Sequence, residues 1–260
     1  MANERDVMGF PKGAAIVVGG SGGIGAEICR VLARDGADIA ITYFGNRARA
    51  EGALHSVVDE GRRGSVHQLD AEDTQSVVAL MDEVVAEYGA IHTIVYAAGP
   101  LVPLIHLSKV TPEQMKSHLL KDTFGFFNIV HAGIPHLRAS QGSFVACQSA
   151  AQYRYAPADG LSVVPKAGVS AIMLGVAKEE GRFGVRANGV AIGLIEAGQQ
   201  IELTKLGFVN ADYMAAAARN TPLRRPGAAQ DIAEAVAYLA SPRAGFVTGQ
   251  VIRVDGGYSL

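Results

Sequence analysis

Residues 14–36 read AAIVVGGSGGIGAEICRVLARDG, and the fold turns on this stretch. Residues 14–19 are a short apolar run, of the kind that fills a strand buried on both faces. Gly19-Gly20-Ser21-Gly22-Gly23-Ile24-Gly25 comes directly after it. Helical periodicity starts at about Gly23 and runs to Arg34, with Ile24, Ile28, Val31 and Leu32 on one side and Gly36 closing the element. Glycines at such a turn allow a sharp bend and let backbone N–H groups approach a pyrophosphate, which the positive end of a helix favours. A tight turn that only packs a helix on a sheet would hold the same glycines. The motif therefore gains meaning from the rest of the chain.

Downstream of Gly36, strand and helix alternate. Apolar strands are predicted at 39–43, 66–69, 91–97, 142–147, 185–190 and 251–254. Helices are predicted at 47–61, 74–88, 112–137, 160–181 and 229–240, and Pro165 falls near the first turns of its helix, where it is tolerated. The strands are apolar throughout, without in-out alternation, as in parallel strands covered on both sides by helices. The expected fold is a doubly wound parallel sheet in a Rossmann-like three-layer α/β/α arrangement. No linker or repeat divides the chain, so residues 1–260 are expected to form one dinucleotide-binding domain. The segment 194–226, with Gly198, Gly207 and Pro222, is less regular. It is either a cover over a cleft at the carboxyl ends of the strands or a surface excursion.

Composition narrows the function. The chain has 260 residues, 49% of them hydrophobic, and a formal charge of -2, so it lacks the broad positive field that attracts nucleic acid. Neither a charged-then-apolar leader nor an apolar run of about 18 residues is evident, which argues against a membrane span, while two cysteines without a disulfide pattern favour the cytoplasm. Cys29 and Cys147 lie in apolar surroundings without CxxC spacing, against a disulfide or a structural zinc. None of the seven histidines has HxxxH or HExxH spacing, and no metal is expected. His106 and His118 flank the cleft region and are weak candidates for substrate contact.

The end of the second strand reads Tyr43-Phe44-Gly45-Asn46-Arg47. A carboxylate there would hydrogen-bond the adenosine ribose of NAD. Without one, a 2′-phosphate is not repelled, and Arg47 or Arg49 can pair with it, so NADP(H) is favoured over NAD(H). Asp70, after the third strand, is placed to touch adenine or to cap the next helix.

These motifs resemble those of the short-chain dehydrogenase/reductase family, of the compact type that includes acyl-carrier-protein reductases, over essentially the whole chain. The family's TGxxxGxG corresponds to Val18-Gly19 through Gly23 and Gly25, with Val for Thr. Its NNAG corresponds to Tyr96-Ala97-Ala98-Gly99, and its PG to Ile192-Gly193. Asp255-Gly256-Gly257 matches the C-terminal signature. The resemblance implies a nicotinamide cofactor, a small carbonyl or secondary-alcohol substrate and a homotetramer or homodimer.

The same resemblance implies a Ser, a Tyr and a Lys in catalysis, with an Asn completing a proton relay. Ser149 matches the Ser and Lys166 the Lys. The Tyr position holds Ser162, the Asn position Asp122, and a Thr that often contacts cofactor becomes Ala197. Ser162 and Lys166 are one helical turn apart on one face. A serine hydroxyl is a far poorer acid than a phenol of pKa ~10. It also stops several ångströms short, and a displacement of about 1 Å can already cost ~100-fold in rate. Losing the donor alone typically costs about 10²–10⁴-fold. Lys166, Tyr153 or Tyr155, and Asp122 are the candidate substitutes. Their structural alternatives are ribose binding, pocket walls or an interface, and, for Asp122, an ion pair with Lys121 or Lys166 or the cap of a turn. Three functions stay open: an oxidoreductase with an atypical proton donor, a non-redox isomerase, dehydratase or lyase, and a nucleotide-binding regulator without turnover.

Overall fold

The computed structural model of the protein describes residues 9–260, so residues 1–8 of the expected domain lie outside the described residues. Along the chain run β1 (Ala14–Val18), α1 (Gly23–Arg34), β2 (Asp38–Tyr43), α2 (Arg47–Asp59), β3 (Gly64–Gln68) and α3 (Thr74–Tyr88). There follow β4 (Ile91–Tyr96), α4 (Pro112–His118), α5 (Gly125–Ser140), β5 (Ser143–Ser149) and α6 (Gly160–Glu180). The last elements are β6 (Arg186–Ile192), α7 (Gln199–Lys205), α8 (Ala211–Arg219), α9 (Ala229–Ala240) and β7 (Val251–Val254).

The strands form one sheet in the order β3-β2-β1-β4-β5-β6-β7, with every pairing parallel. All residues of β1, β2 and β4 are buried, as their unbroken apolar runs require. One core layer joins the sheet to α3, α5 and α6 through Leu80, Val84, Ile129, Val169 and Met173. The other joins it to α1, α2 and α9 through Ile28, Leu32, Val57, Ile232 and Val236. The doubly wound three-layer fold is therefore present. Strand order reverses between β1 and β4, the switch point outside whose carboxyl ends open parallel sheets form their ligand crevice.

One expectation is refined and two need correction. The helix predicted at 112–137 is α4 and α5 joined by a wide π-helical turn at Leu119–Phe124. Residues 194–226 are more regular than their glycines suggested, because they hold α7 and α8, the latter capped by Asn210, whose Oδ1 accepts from the Tyr213 N–H at 2.9 Å. Asp70 does not cap α3. Asp73 does, its Oδ1 accepting from the Gln75 N–H at 2.9 Å, while Asp70 accepts from the Glu72 N–H within its own turn.

Among the described residues, one helical stretch, Gly160–Phe183, is long and apolar enough to cross a membrane, with a mean hydropathy of 1.5. In this fold it packs on β5 and β6 through Val169, Met173 and Val176. Cys29 and Cys147 are free and buried. Burial drives both thiols upward, Cys147 to about 12, so neither is a nucleophile.

Candidate active site

The first half of the crevice is the glycine turn. Gly19 leaves β1 with φ +81°, a conformation costly for a side chain, and a Cβ there would lie 2.9 Å from the Ala98 backbone. Its N–H donates to the Thr42 hydroxyl at 3.1 Å. A Cβ on Gly25 would strike the Gly19 carbonyl, and one on Gly23 would come 2.8 Å from the Gly198 N. Ser21 is half-buried and Gly23 exposed at the mouth. Among the described residues no acceptor meets the N–H groups of Gly23, Ile24 or Gly25, and no side chain caps α1. Free donors at a helix start, in a cradle that any Cβ would fill, fit a pyrophosphate.

Tyr43 ends β2 buried. The two arginines after it are not free. Arg47 pairs with Glu51 at 2.9 Å, and Arg49 with Glu202 of α7 at 3.2 Å. Asp70 is exposed beyond β3. Gly193 sits against the chain after β7, where a Cβ would lie 2.6 Å from the Asp255 Cα, so close packing alone accounts for that glycine.

The second half gathers at the end of β4. The Lys166 ammonium donates to the Ala98 carbonyl at 3.0 Å and to Asp122 Oδ1 at 2.9 Å. It lies 5.3 Å above the Tyr96 ring. The Tyr96 hydroxyl donates to the Asp122 carbonyl at 3.0 Å. Burial first, then the Asp122 charge, push that phenol well above its ordinary value. A Cβ on Gly99 would stand 3.6 Å from both Asp122 Oδ2 and Lys166 Nζ, an ordinary contact distance, so the exposed Gly99 borders the pair. Ala97, half-buried, joins β4 to β1 by donating its N–H to the Val18 carbonyl at 2.9 Å. Of the two expected partners of Asp122, the structure selects Lys166 over Lys121.

The local sequence explains this meeting. The π turn swings Asp122 and Thr123 toward α6. Gly168 admits Thr123, whose hydroxyl donates to the Pro165 carbonyl at 2.8 Å. Pro165 has no N–H to return to the Leu161 carbonyl. His118, buried with Nδ1 unpartnered, lies by that Leu161 backbone, and burial lowers its imidazole.

Ser149 ends β5 and is half-buried, its Oγ accepting from the Ala151 N–H at 3.2 Å. Ser170 of α6 donates to Gln148 Oε1 at 3.1 Å, which fixes the end of β5 beside the helix that carries Ser162 and Lys166. Tyr153 is not gathered with them. It is 46% exposed, and its ring carries the Arg253 guanidinium of β7 at 5.4 Å. Tyr155 is 49% exposed.

Sequence reasoning missed Gln199. This first residue of α7 accepts from the Val102 N–H at 3.1 Å and donates to the Pro100 carbonyl at 3.0 Å, tying the 194–226 segment to the loop after β4. No local signal marks such a residue. Among the described residues no group of three or more His, Cys, Asp or Glu could hold a metal ion.

A dinucleotide cradle at the switch point of a parallel sheet, with a lysine held at its far side, defines a class of nicotinamide-dependent oxidoreductases. The model of the family described as enoyl-(acyl carrier protein) reductase matches residues 18–259, and the chain belongs to that family, within the short-chain dehydrogenases/reductases. Similar proteins include 3-oxoacyl-[acyl-carrier-protein] reductase FabG of Staphylococcus aureus, 29% identical over 245 residues, with 94% of this chain and 97% of that one covered. FabG of Chlamydia trachomatis serovar D is 30% identical over 244 residues, with 94% and 96% covered. A short-chain type dehydrogenase/reductase from Mycobacterium ulcerans superposes with a TM-score of 0.89 at 28% identity, over 96% of this chain and 91% of that one. Carveol dehydrogenase from Mycobacterium avium in complex with NAD gives 0.86 at 25% identity, over 95% and 97%.

Proposed function

We propose that the protein reduces a small carbonyl compound, or oxidises the corresponding secondary alcohol, with NADP(H), using an atypical proton donor. The observation that carries this reading is the Lys166 ammonium, held between the Ala98 carbonyl and Asp122 across the crevice from a glycine turn with free N–H donors. In this reading Gly19, Ser21, Gly23, Ile24 and Gly25 receive the pyrophosphate. Tyr43 and Arg47 border the adenosine ribose, and Asp70 the adenine. Ala97, Ala98, Gly99 and Gly193 line the path to the nicotinamide, and Lys166 holds the nicotinamide ribose.

The bound nicotinamide would supply or accept the hydride. The chain's own part is to orient and to move a proton. Ser149 hydrogen-bonds the substrate oxygen, and Lys166 adds positive charge near the developing alkoxide. Ser162, in place of a phenol, hands on a proton without being acidic enough to originate it. Tyr153, turned to Arg253, is the weaker candidate donor, and Asp122, committed to Lys166, fixes the lysine. Segment 194–226, tethered by Gln199, covers the substrate.

Preference for NADP(H) is supported by the lack of a carboxylate at Tyr43 and by Arg47 and Arg49 beyond it. Assembly as a homodimer or homotetramer is supported by Phe127 and Leu174 on neighbouring α5 and α6, 48% and 49% exposed, with Phe124 and Val164 nearby. A cytoplasmic site fits the free thiols.

Titrating the purified protein with NADPH and NADH by fluorescence, then screening ketones and alcohols at the reduced-nicotinamide absorbance, tests the reading. Tighter NADPH binding and ketone turnover are expected. No affinity for either nucleotide at millimolar concentration would overturn it. Binding without any turnover would favour a nucleotide-binding regulator.

A further inference from the structure

A cavity of about 520 Å³ opens at the carboxyl ends of β6 and β7, away from the glycine turn. Leu194, Pro222, Leu223 and Leu260 give it apolar walls, and Arg225 and Arg253 are its cations. That size, with apolar walls and a few polar groups, suits a small molecule. The Asp255-Gly256-Gly257 signature builds one side of it. Gly256 and Gly257 have φ of +62° and +87°, and Cβ atoms there would lie 2.6 Å from Thr221 Cγ2 and 2.8 Å from Pro222 Cγ. The Leu223 N–H donates to the Gly256 carbonyl at 3.1 Å. The cavity thus sits between the C-terminal turn and the foot of segment 194–226, where Ile195 pairs with Gly227.

Sheet register ties this cavity to Ser149. Ser149 stands opposite Ile192, and Ile192 opposite Val254, which lines the cavity. Two strand spacings, about 10 Å, separate Ser149 from Val254. Tyr153, four residues past Ser149, carries the Arg253 guanidinium at 5.4 Å from its ring centre. That ring is 46% exposed, so its surface spans from the Ser149 loop to Arg253.

Four charged side chains line the cavity, and three of them are engaged. Arg225 pairs with Asp231 at 3.2 Å, and Asp231 also accepts from the Ala228 N–H at 2.8 Å. Asp255 lies within range of the Arg253 charge, yet its oxygens accept from the Gly257 and Ser259 N–H groups at 2.9 and 3.0 Å. Arg253, exposed on β7, touches Ser259 through Nη1 alone, at 3.3 Å to Oγ and 3.4 Å to the carbonyl. Among the described residues its Nε and Nη2 meet no acceptor, and no carboxylate pairs with it. One guanidinium is thus left over, which suits one negative charge. A carboxylate supplies it and fits the planar fork through two parallel N–H bonds, whereas a phosphate brings nearly two charges.

We propose that the substrate is an oxo acid with an apolar chain, its carbonyl at Ser149 and its carboxylate on Arg253. The proposal rests on the oxidoreductase reading above and names the substrate class of that site. The chemistry at the carbonyl is unchanged. Its carbon takes the hydride from the reduced nicotinamide, which is oxidised, its oxygen takes a proton, and the carboxylate is neither made nor consumed. Leu223 and Leu260, 65% and 85% exposed, gain the chain as an apolar partner. Arg253 is then the residue that selects acids over neutral ketones.

Methyl-ketone acids of increasing chain length, each beside its methyl ester, test it in reduction with NADPH. The wild type should prefer the acid about 10–100-fold in kcat/KM, chiefly through KM, once the chain spans about 10 Å. That preference should shrink as salt rises. Arg253→Gln should bring each acid down to the level of its ester, with NADPH affinity unchanged, and Arg253→Lys should keep part of the preference. Octanoate has no ketone to reduce, yet calorimetry should show it binding the wild type and not Arg253→Gln. An Arg253→Gln protein that keeps the acid preference within about threefold of wild type overturns the proposal. So does a wild type that treats acid and ester alike at every length, a result that needs no variant to fold. Failure of the underlying reading is distinct: the wild type would neither bind nor use NADPH, while octanoate would still tell it from Arg253→Gln.

Discussion

Lys166 Nζ lies 2.9 Å from Asp122 Oδ1, and both side chains are largely buried, at 14% and 4% exposure. This pair joins two segments of the chain 44 residues apart and places a fixed positive charge beside the end of β4. Removing one partner of a buried pair leaves an uncompensated charge, which typically costs about 3–5 kcal/mol. Asp122→Ala should therefore lower the unfolding free energy in urea by about that much, and Asp122→Asn by less, because an amide oxygen still accepts from Lys166. Equal losses for the two variants would show that the retained acceptor contributes nothing and that the lost charge carries the whole effect.

Glu202 occupies Arg49 at 3.2 Å on the adenosine side. The pair is exposed, so it is worth no more than about 1 kcal/mol. Glu202→Gln should free Arg49 and tighten NADPH binding by up to about fivefold, with NADH unchanged. The gain should shrink as salt rises. Equal tightening of both nucleotides in a titration would remove Arg49 from 2′-phosphate recognition.

Gly23 and Gly198 approach so closely that a methyl group on Gly23 would lie 2.8 Å from the Gly198 N. Gly23→Ala should push the start of α7 off the glycine turn and weaken NADPH binding at least tenfold, with little loss of thermal stability. Gly19→Ala, at φ +81° and against the Ala98 backbone, should cost about 1–3 kcal/mol of stability as well. Calorimetry with and without NADPH separates the two effects.

Asp159, directly ahead of α6, gives stability a pH dependence. Its carboxyl is lifted by burial to about 7 from a value near 3.8. The folded state thus holds the proton more tightly than the unfolded chain. The stabilisation is complete below about pH 4 and is lost as pH climbs through about 7. Asp159→Asn should flatten that part of the Tm-versus-pH curve and raise Tm relative to wild type above neutrality. A curve of unchanged slope between those limits would refute burial of an unpaired acid.

Much of this fold was legible because local pattern encodes it. The apolar runs at 14–19, 39–43 and 91–97 read as strands buried on both faces, and the glycines at 19–25 as a turn. The π turn at Leu119–Phe124 was not legible, since one wide turn inside a helical period barely changes the pattern. Helices α7 and α8 were hidden by Gly198 and Gly207, which read as breakers although they only flank α7.

Local residue order was enough for the alternation of strand and helix, the glycine turn at the end of β1, and the presence of Ser162 and Lys166 on one helical face. These are consequences of periodicity and steric freedom within a few residues. It took the folded arrangement to establish that Asp122 meets Lys166, that Tyr153 turns to Arg253, that Arg49 reaches Glu202 across 153 residues, and that burial lifts the Asp159 carboxyl. Those outcomes depend on which chain segments the strand order brings together, and on which charges are left without a partner once they meet.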